Sequence, residues 1–437
     1  MKIGVIGLGF VGLSFASVLG SKGYTVIGVD TDKEKLRLIR TAKSPFYEPK
    51  LDITLKNALK RKFTLSEKIE DVVNNCDLIF VTVGTPMKKN GNIELGIVLD
   101  VSKNIGISLS KTRNTPDIII KSTVTPGTTI NKVKKILEEK SRKKEGIGFN
   151  LITNPEFLRE GKAIEDTRKP HLIVIGSSNE KKSYRVTKFF KDMYSKKIPI
   201  VKTNNTTAEM IKYANNSFLA TKISFINNIA NLCQILPGTN VDDVASAIGA
   251  DPRIGKQFLS AGPGYGGSCL PKDVQAMIAY QNEHGAGYSL LESVQKTNNL
   301  QIERIVKLIE KTLGNLENKR IAVLGLSFKE ESDDIRESTS IKLIRNLLKK
   351  QVNILVHDPK AIENTRNVFR NKIEYFYKIR DVLNGTDCVV IMTPWKEYSK
   401  LQDIDFNGMN KKIIIDTRRI VKIHDKKIKY IGLGIGT

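Results

Sequence analysis

Residues 2–30, KIGVIGLGFVGLSFASVLGSKGYTVIGVD, decide the fold of the first part of this 437-residue chain. KIGVIG is a short apolar run typical of a buried strand, LGFVGLSFASVLGSKG has helical spacing and ends at Gly23, and YTVIGVD is a second strand. This order indicates a βαβ unit. Four further apolar runs, CDLIFVTVGTP, DIIIKSTVTPG, FNLITNPEF and HLIVIG, end in turn or polar residues. They predict parallel strands with helices between them.

The same plan repeats near the end of the chain. RIAVLGLSFKE (320–330) is similar to KIGVIGLGFVG (2–12), NILVHDPK to YTVIGVDTDK, and TDCVVIMTPW to CDLIFVTVGTP. Ser327 stands in place of Gly9, and Lys329–Glu330 occupy the region of Gly12. The second copy therefore keeps the architecture without the phosphate-binding glycines, and we expect it to bind a different ligand.

A long helix is predicted between the two copies. Residues 205–236 contain neither proline nor glycine and are too apolar for an exposed helix, so we expect this helix to be buried between domains or subunits. Pro237–Gly238 end it, and Asn240 is the expected N-cap of the next helix. The fold class is therefore α/β: two doubly wound Rossmann-like domains joined by a long central helix and a small helical domain. We expect an N-terminal domain over 1–200, a central helical domain over 201–300 and a C-terminal domain over 301–437.

Gly7, Gly9 and Gly12 form a GxGxxG motif, and Asp30 ends the following strand eighteen residues later. The motif follows a strand and opens a helix, which is the arrangement that binds a dinucleotide. Gly7 allows the tight turn, Gly9 lets the backbone reach the pyrophosphate and Gly12 allows close helix packing. Asp30 would bind the ribose hydroxyls and repel a 2′-phosphate, which favours NAD over NADP. FAD binding remains an alternative, since the same motif serves it.

The stretch GPGYGGSCLPKD (262–273) places four glycines before Cys269. Pro271 suits the first turn of a helix, so Ser268 or Cys269 would be its N-cap. The helix dipole and the neighbouring Lys272 favour a thiolate and lower a thiol pKa from about 8.5. We expect the glycines to let a bulky ligand lie against the backbone. Cys269 is therefore predicted to be reactive, whereas Cys76, Cys233 and Cys388 lie in apolar contexts typical of buried, inert thiols.

Other polar residues stand where chemistry could occur. Lys212 and Asn216 are four residues apart on the long helix and share one face. Without other evidence this spacing also fits a solvated surface pair. Ser122–Thr123 and Glu156 follow predicted parallel strands, at the edge where such sheets bind ligands.

The composition limits the classes of function. The chain has 71 Lys and Arg against 46 Asp and Glu, a formal net charge of +25. The basic residues are spread along the chain in short clusters, so steering of anionic small molecules is favoured over nucleic-acid binding. No apolar run is long enough for a membrane helix, and the start of the chain lacks a signal-peptide pattern. The four scattered cysteines predict neither disulfides nor a metal site. We therefore expect a cytoplasmic protein that binds no membrane.

The motifs GLGFVG, VGTP, KSTVTPG, NPEFLREG, IKYANNSFLATKISFINN, GPGYGGSCLPKD, GLSFKEESDDIRES and DTRRI resemble, in order and over essentially the whole chain, those of the nucleotide-sugar 6-dehydrogenases. This is the family of UDP-glucose and GDP-mannose dehydrogenases. The resemblance implies a four-electron oxidation of a sugar C6 alcohol to a carboxylate with two NAD molecules in succession. Cys269 would trap the aldehyde as a thiohemiacetal, which a second oxidation converts into a thioester. UDP-glucose is the expected substrate.

Roles for individual residues follow from the resemblance. Lys212 and Asn216 would stabilise the oxyanion, and Asp273 and Glu156, with Thr123, would position or activate water. The implied cofactor contacts are Asp30, Lys35, Thr85, Thr123, Glu160, Lys272 and Arg336. The implied contacts to the nucleotide sugar are Glu156, Phe157, Leu158, Lys212, Asn216, Arg253, Phe258, Gly264, Phe328, Lys329 and Arg418. Arg253 would come from the partner subunit of a homodimer or higher homo-oligomer whose core is the long helix.

Several alternatives stay open. The substrate could be GDP-mannose or another UDP-sugar, although Ser268 disfavours N-acetylated UDP-sugars, whose enzymes tend to carry histidine before the cysteine. A two-electron β-hydroxyacid dehydrogenase shares the dinucleotide domain and the Lys-x-x-x-Asn pair but would not need Cys269. A non-catalytic nucleotide-sensing or RNA-binding protein would use the positive charge and would show steeply salt-dependent RNA binding.

Overall fold

The computed structural model describes residues 1–194, 198–287 and 289–436. The chain divides into two compact units, Met1–Asn215 and Asn216–Thr437. Each unit is built on a mostly parallel sheet with helices between its strands. Among the described residues, no helix combines the length and the apolar character needed to cross a membrane.

The first unit contains, within the described residues, a sheet of eight strands in the order β3-β2-β1-β4-β5-β6-β7-β8. The strands are β1 (Lys2–Ile6), β2 (Thr25–Val29), β3 (Phe63–Ser66), β4 (Leu78–Val81), β5 (Asp117–Ile120), β6 (Asn150–Thr153), β7 (Ile173–Ser177) and β8 (Ile200–Thr203). The helices of this unit are α1 (Phe10–Ser21), α2 (Lys33–Arg40), α3 (Leu51–Leu59), α4 (Ile69–Asn75), α5 (Gly96–Ser110), α6 (Lys134–Ser141), α7 (Ala163–Arg168) and α8 (Tyr184–Met193). A single π-helical turn, Thr129–Val133, leads into α6.

The central strands β4 and β5 are apolar except for Asp117 at the start of β5, because helices cover both faces of the sheet. Every residue of β4 and β5 is buried, as expected for parallel strands. The strand order reverses between β1 and β4, which is the topological switch point where such sheets open a crevice at the carboxyl ends of their strands. The residues that follow β1, β4 and β5 therefore lie at the binding edge.

One strand runs against the prediction. β7 is antiparallel to β6, with Ile152 opposite Ser177 and Thr153 opposite Gly176, whereas the sequence predicted parallel strands throughout. The segment between β6 and β7 contains only the six-residue helix α7. Because the pair is antiparallel, β7 enters the sheet from the edge at which β6 leaves it.

The second unit contains, in its described part, a sheet of six parallel strands in the order β11-β10-β9-β12-β13-β14. The strands are β9 (Arg320–Leu324), β10 (Asn353–His357), β11 (Glu374–Tyr375), β12 (Cys388–Ile391), β13 (Ile413–Asp416) and β14 (Lys429–Gly432). The long helix α9 (Asn205–Cys233) begins in the first unit and ends in the second. The other helices are α10 (Val241–Ala250), α11 (Leu270–Glu283), α12 (Leu290–Leu313), α13 (Thr339–Leu348), α14 (Ile362–Phe369) and α15 (Ile379–Leu383).

The predicted repeat of the plan is confirmed. β9, β10 and β12 occupy the places of β1, β2 and β4 in the strand order. Gly325 after β9 has a φ of +91°, close to the +92° of Gly7 after β1. The two copies differ directly afterwards: α1 begins at Phe10, three residues after Gly7, whereas α13 begins only at Thr339. The second copy therefore presents no helix N-terminus at this point.

The observed ends of α9 and α10 lie close to those predicted from the sequence. α9 ends at Cys233 rather than at 236, because the next residues form turns before Pro237. Asn240 is the N-cap of α10, as predicted: its Oδ1 accepts a hydrogen bond of 2.9 Å from the Asp242 amide. Ile226 and Ala230 of α9 pack with Val241 of α10 in a small core of their own.

Candidate active site

The turn after β1 fits a dinucleotide. Gly7 has a left-handed φ of +92°, which favours glycine, and a Cβ on Gly12 would overlap the Gly7 carbonyl oxygen. A Cβ on Gly9, by contrast, would meet nothing within 4 Å. Gly9 caps α1 without a side chain, and the first turn of α1 carries no acidic residue. This open backbone at a helix N-terminus suits a pyrophosphate, so the geometry fits the NAD expected from the sequence.

Asp30 lies at the end of β2, beside this turn. Its Oδ2 accepts hydrogen bonds from the Leu8 amide at 2.8 Å and from Lys35 Nζ at 2.9 Å, and its Oδ1 accepts one from the Asp32 amide at 3.0 Å. Burial alone would raise the pKa of Asp30, but these hydrogen bonds hold it below its usual value. Asp30 is therefore an ionised acceptor at neutral pH, and Lys35 is placed by it.

The ends of β4 and β5 complete the binding edge of the first unit. Thr82 donates to the Gly7 carbonyl at 2.7 Å, and Ser122 donates to the Val83 carbonyl at 2.7 Å. The predicted cofactor contacts Thr85 and Thr123 lie in these two connections, Thr85 buried and Thr123 half-buried. The parallel pairing of β1, β4 and β5 brings the two connections to the same edge of the sheet as the glycine turn.

The first turns of α9 are held by buried polar residues that the sequence analysis did not single out. Thr153 at the end of β6 donates to Asn205 Oδ1 at 2.9 Å. Glu209 accepts from the amides of Gly127 and Thr129, at 2.6 and 2.8 Å, which ties α9 to the turn before α6. Burial raises the pKa of Glu209 to about 6. Residues 205, 209 and 212 lie on one face of the helix. This helical spacing of polar residues was the sequence signal that could have identified Asn205 and Glu209 as buried.

Lys212 lies on that face and forms a buried ion pair. Its Nζ donates to Glu156 Oε1 at 3.0 Å, and the side chains of the two residues are 5% and 8% exposed. The Leu158 amide donates to Glu156 Oε2 at 2.5 Å, and Lys212 Nζ lies 5.3 Å from the ring centroid of Phe157. Burial favours the neutral carboxyl, but Lys212 and the Leu158 amide hold the pKa of Glu156 below its usual value. This burial rules out the solvated surface pair for Lys212.

Cys269 is placed in the second unit as the N-cap residue of α11, with Pro271 in the first turn, as predicted. Its Sγ lies 3.6 Å from Ser268 Oγ, and the residue is partly exposed. The thiol thus stands at a helix N-terminus, where amide groups favour negative charge. In contrast, burial raises the pKa of Cys76 to about 12 and raises that of Cys388 strongly.

Asp273, one turn after Cys269, is 1% exposed and lies between two donors. Asn216 Nδ2 donates to its Oδ2 at 2.6 Å, and Lys272 Nζ donates to its Oδ1 at 2.5 Å. This contact joins the first turn of α11 to the part of α9 that belongs to the second unit. In the second unit the structure therefore brings Asn216 together with Lys272 and Asp273. The latter two residues follow Cys269 closely in the sequence.

The glycines before Cys269 lie against protein atoms. A Cβ on Gly264 would lie 2.6 Å from Asn298 Oδ1, and one on Gly267 would lie 2.6 Å from the Phe328 ring. Asn298 also accepts from the Tyr265 amide at 2.7 Å, and Asn227 accepts from the Gly262 amide at 2.8 Å. The Cβ positions of these glycines thus face neighbouring protein groups, and the expectation that a bulky ligand lies against this backbone stays a prediction. The glycines are needed because neighbouring protein groups approach closely.

Several residues that are predicted to contact the substrate pack around the glycine loop. Phe328 lies over Gly267, and Lys329 Nζ lies 5.8 Å from the Phe328 ring centroid. A Cβ on Gly262 would lie 2.7 Å from the Arg418 guanidinium, which also donates to the Met392 carbonyl at 2.8 Å. Burial, and then Arg419, lowers the pKa of Arg418 to about 10. Arg418 and Phe328 follow β13 and β9, so they stand at the carboxyl edge of the second sheet.

The counterpart of Asp30 in the second sheet is Asp358, which follows β10. Its Oδ2 accepts from the Leu326 and Ser327 amides, at 2.7 and 3.1 Å, and from Trp395 Nε1 at 3.1 Å. Its Oδ1 accepts from two further amides, at 2.8 Å each. Both carboxylate oxygens of Asp358 thus already accept hydrogen bonds from the protein, whereas a ribose would donate its hydroxyl hydrogens to these same oxygens. This supports the expectation that the second copy binds a different ligand.

Of the remaining predicted residues, Arg336 touches the glycine loop, because its carbonyl accepts a hydrogen bond of 3.0 Å from the Gly267 amide. Arg253 forms a fork with Asp251 at 2.6 Å and is 87% exposed, and Arg336 pairs with Asp334 at 2.6 Å on the surface of the second unit. Phe258 has a left-handed φ of +65°. Glu160 is half-buried in the connection between β6 and α7.

Comparison with known proteins covers nearly the whole chain. Residues 1–195 match the NAD binding domain of the UDP-glucose/GDP-mannose dehydrogenase family, residues 206–300 its central domain and residues 322–423 its UDP binding domain. The chain is 36% identical to UDP-glucose 6-dehydrogenase AglM of Haloferax volcanii, over 96% of this chain and 97% of the relative. It is 38% identical to the UDP-glucose 6-dehydrogenase of Rickettsia prowazekii, over 99% and 98%.

Solved structures give the same result. A UDP-glucose dehydrogenase from the hyperthermophilic archaeon Pyrobaculum islandicum superposes with a TM-score of 0.91 at 34% identity, over 99% of this chain and 98% of that chain. UDP-D-ManNAc dehydrogenase from Pyrococcus horikoshii superposes with a TM-score of 0.85 at 27% identity, over 99% of each chain. The predicted family and fold class are thus confirmed. The chain belongs to the UDP-glucose/GDP-mannose dehydrogenase family, and its residues 1–195 form that family's NAD binding domain.

Proposed function

We propose that the protein oxidises the C6 hydroxyl of UDP-glucose to a carboxylate, giving UDP-glucuronate, in two successive NAD-dependent steps. The full-length relatives of 36–38% identity named UDP-glucose 6-dehydrogenase support this substrate. The observation that carries the chemistry is Cys269 at the N-terminus of α11, one turn before the buried carboxylate Asp273. NAD, when bound at the turn after β1, accepts the hydride in each oxidation, so two NADH form per sugar.

The chain's own residues would hold the sugar between the two oxidations. The Cys269 sulfur adds to the C6 aldehyde, and the resulting alkoxide takes up a proton to give a thiohemiacetal. Loss of a hydride from C6 and of the hydroxyl proton gives a thioester. Water then adds to this carbonyl, the thiolate leaves, and the carboxylate is released. Covalent capture keeps the aldehyde from escaping, which is why one site suffices for both oxidations.

Lys212, Asn216, Asp273 and Glu156 supply the charges that these steps need. The ammonium of Lys212 and the amide of Asn216 stabilise the negative charge that develops on O6. Glu156 and Asp273, with Thr123, position or activate the water, a contribution of roughly 10²–10⁴-fold. Two interactions support these roles. The buried ion pair with Lys212 keeps Glu156 ionised, and the hydrogen bond from Asn216 holds Asp273 in place.

A panel assay tests the proposal. Purified protein with saturating NAD is supplied with UDP-glucose, GDP-mannose and N-acetylated UDP-sugars, and NADH and sugar are quantified together. We expect two NADH per UDP-glucose consumed and slower turnover of the other sugars. The Cys269→Ser variant should lose the sustained formation of two NADH per sugar. One NADH per sugar in the wild type, with the variant equally active, would instead indicate a two-electron dehydrogenase.

The nucleotide-binding residues of the second sheet form a second part of the proposal. Phe328, Lys329 and Arg418 bind the UDP end, with support from the match of residues 322–423 to the family's UDP binding domain. Their position at the carboxyl edge of this sheet, next to the glycine loop, is where a doubly wound sheet binds its ligand. UDP should therefore compete with UDP-glucose, and GDP should compete more weakly.

We further propose that the protein forms a homodimer or a higher homo-oligomer through α9. Phe218, Phe225 and Leu232 are spaced by seven residues and are 66%, 51% and 49% exposed on the single chain. A regular row of large apolar side chains on one helix face is typical of an interface. Light scattering should give at least twice the 48.8 kDa mass of the chain. Phe225→Glu should shift it towards the single-chain mass.

A further inference from the structure

Lys121 is a buried lysine that no role described above uses. It follows β5 directly, and its amide donates to the Val81 carbonyl at 2.9 Å. Its Nζ donates to Asn154 Oδ1 at 3.1 Å and lies 5.3 Å from the ring centroid of Phe15. Asn154 is itself held by a hydrogen bond of 2.7 Å from its Nδ2 to the Val174 carbonyl. The ammonium is thus fixed inside the first unit, although burying a charge is costly unless it interacts with an opposite charge.

The opposite charge in this part of the unit is Glu156. Lys121, Asn154 and Glu156 line one cavity, next to Phe15 and Phe157. Lys121 interacts electrostatically with both Glu156 and Lys212. Lys212 and Lys121 both act to lower the pKa of Glu156.

The other titratable groups that line the cavity have interactions of their own. Asp166 pairs with Arg159 at 2.6 Å. The Tyr194 hydroxyl donates to the Thr167 carbonyl at 2.7 Å, and the His171 ring packs on Phe157 at 5.8 Å. Among the groups that line the cavity, Glu156 is therefore the carboxylate that acts on Lys121.

We propose that Lys121 is a positioning residue of the reaction, the standing counter-ion of Glu156 that lets Lys212 serve a second anion. This inference rests on the proposed function. When the Lys212 ammonium turns towards the negative charge on O6, it weakens its pairing with Glu156. A buried carboxylate that loses its cation takes up a proton or destabilises the site. Lys121 remains in the same cavity, so Glu156 stays ionised and can position water.

The charge state of Lys121 gives this role a pH limit. Burial lowers the pKa of Lys121 to about 8, with Glu156 acting to raise it and Lys212 to lower it. Lys121 is therefore charged at neutral pH and loses its proton as the pH rises through about 8. Once it is neutral, the site has lost the cation that replaces Lys212. The rate of turnover should accordingly decline on the alkaline side with an apparent pKa near 8.

The test compares Lys121→Met with wild type and with the control Lys103→Met, which removes an exposed lysine of α5 in the same unit. The pH profile of kcat is measured with UDP-glucose and NAD. In Lys121→Met we expect the acid limb to move up by about one pH unit and the alkaline limb near 8 to vanish. The kcat at neutral pH should fall about tenfold, a change of about 1.4 kcal/mol, with KM for UDP-glucose nearly unchanged. Lys103→Met should behave as wild type. Unchanged limbs in Lys121→Met would overturn the proposal.

Two further measurements keep the proposal open to refutation if Lys121→Met does not fold. Lys121→Arg keeps a charge that does not titrate, so it should retain the acid limb and lose the alkaline one; an alkaline limb still near 8 would overturn the proposal. The carboxyl infrared band that Glu156→Gln removes can be titrated without any substrate. Its midpoint should be higher in Lys121→Met than in wild type, and equal midpoints would count against the role of Lys121. Wild type that forms no NADH would refute the proposed function, while the infrared titration would still decide whether Lys121 holds Glu156 ionised.

Discussion

Replacing Lys212 with methionine removes one partner of a buried ion pair and leaves the other in place. Lys212 Nζ and Glu156 Oε1 are 3.0 Å apart, and both side chains are almost completely buried. Breaking such a pair from one side costs about 3–5 kcal/mol, because the remaining charge is poorly solvated. Lys121 and the Leu158 amide still face Glu156. We therefore expect the lower end of this range, about 3 kcal/mol of unfolding free energy at neutral pH.

The cost of Lys212→Met should depend on pH with a definite sign. In wild type the pKa of Glu156 is held below its usual value, so its contribution to stability is present above the unfolded-state pKa of about 4.3 and is lost as the pH falls. In the variant, burial is no longer offset by Lys212, and the pKa of Glu156 rises. The variant then loses stability as the pH rises through that new value. The difference from wild type should therefore be larger at about pH 8 than at about pH 5.

Urea denaturation followed by circular dichroism at these two pH values measures the effect. Glu156→Gln and the double variant Lys212→Met/Glu156→Gln complete a cycle. The double variant should be more stable than Lys212→Met alone, because it no longer buries a carboxylate that has lost the ammonium in contact with it. A loss below about 1 kcal/mol at neutral pH would contradict the assignment of a buried pair. An equal loss at both pH values, or a double variant no more stable than the single one, would contradict the electrostatic explanation.

Three other changes have defined outcomes. Asp30→Ser removes an ionised acceptor at the end of β2, so the ratio of kcat/KM for NAD to that for NADP should fall by about 10- to 100-fold in steady-state assays; an unchanged ratio would refute its ribose role. Gly267→Ala forces a left-handed alanine against the Phe328 ring and should lower the stability by more than the roughly 1–2 kcal/mol of the backbone term. The control Gly285→Ala has a similar positive φ in open space, and equal losses would refute the close packing. Arg418→Met should weaken UDP binding about 10- to 100-fold in calorimetry while leaving KM for NAD unchanged; unchanged UDP affinity would remove Arg418 from the substrate site.

The architecture was predictable because its signals are local and repeated. The strand runs, the glycine turn and the acidic residue after β2 lie within one βαβ unit, and the same pattern recurs from β9 onwards. The N-caps Asn240 and Cys269 follow from the residue types at helix starts. The direction of β7 could not be obtained in this way, since an apolar run of five residues has the same pattern in either direction.

The site was partly predictable. Cys269 stood out because of its glycines and proline, whereas Lys212 had the pattern of a surface residue until its burial beside Glu156 was known. Lys121, which follows an apolar strand, carries no sign of burial in its own neighbourhood, because its partner Asn154 comes from the adjacent strand. The glycine loop shows a further limit of prediction from the sequence. Its composition indicates close approach, but only the fold shows that Phe328 and Asn298 are the approaching groups.

Mass spectrometry of the acid-quenched enzyme tests the central claim most directly. The protein is mixed with UDP-glucose and NAD, stopped within the first turnovers and digested, and the peptide that contains Cys269 is examined. The account predicts a sugar-nucleotide adduct on the Cys269 sulfur that disappears as UDP-glucuronate forms, and no adduct on the peptides of Cys76, Cys233 or Cys388. Turnover to two NADH per sugar with no adduct on Cys269 at any quench time would contradict it.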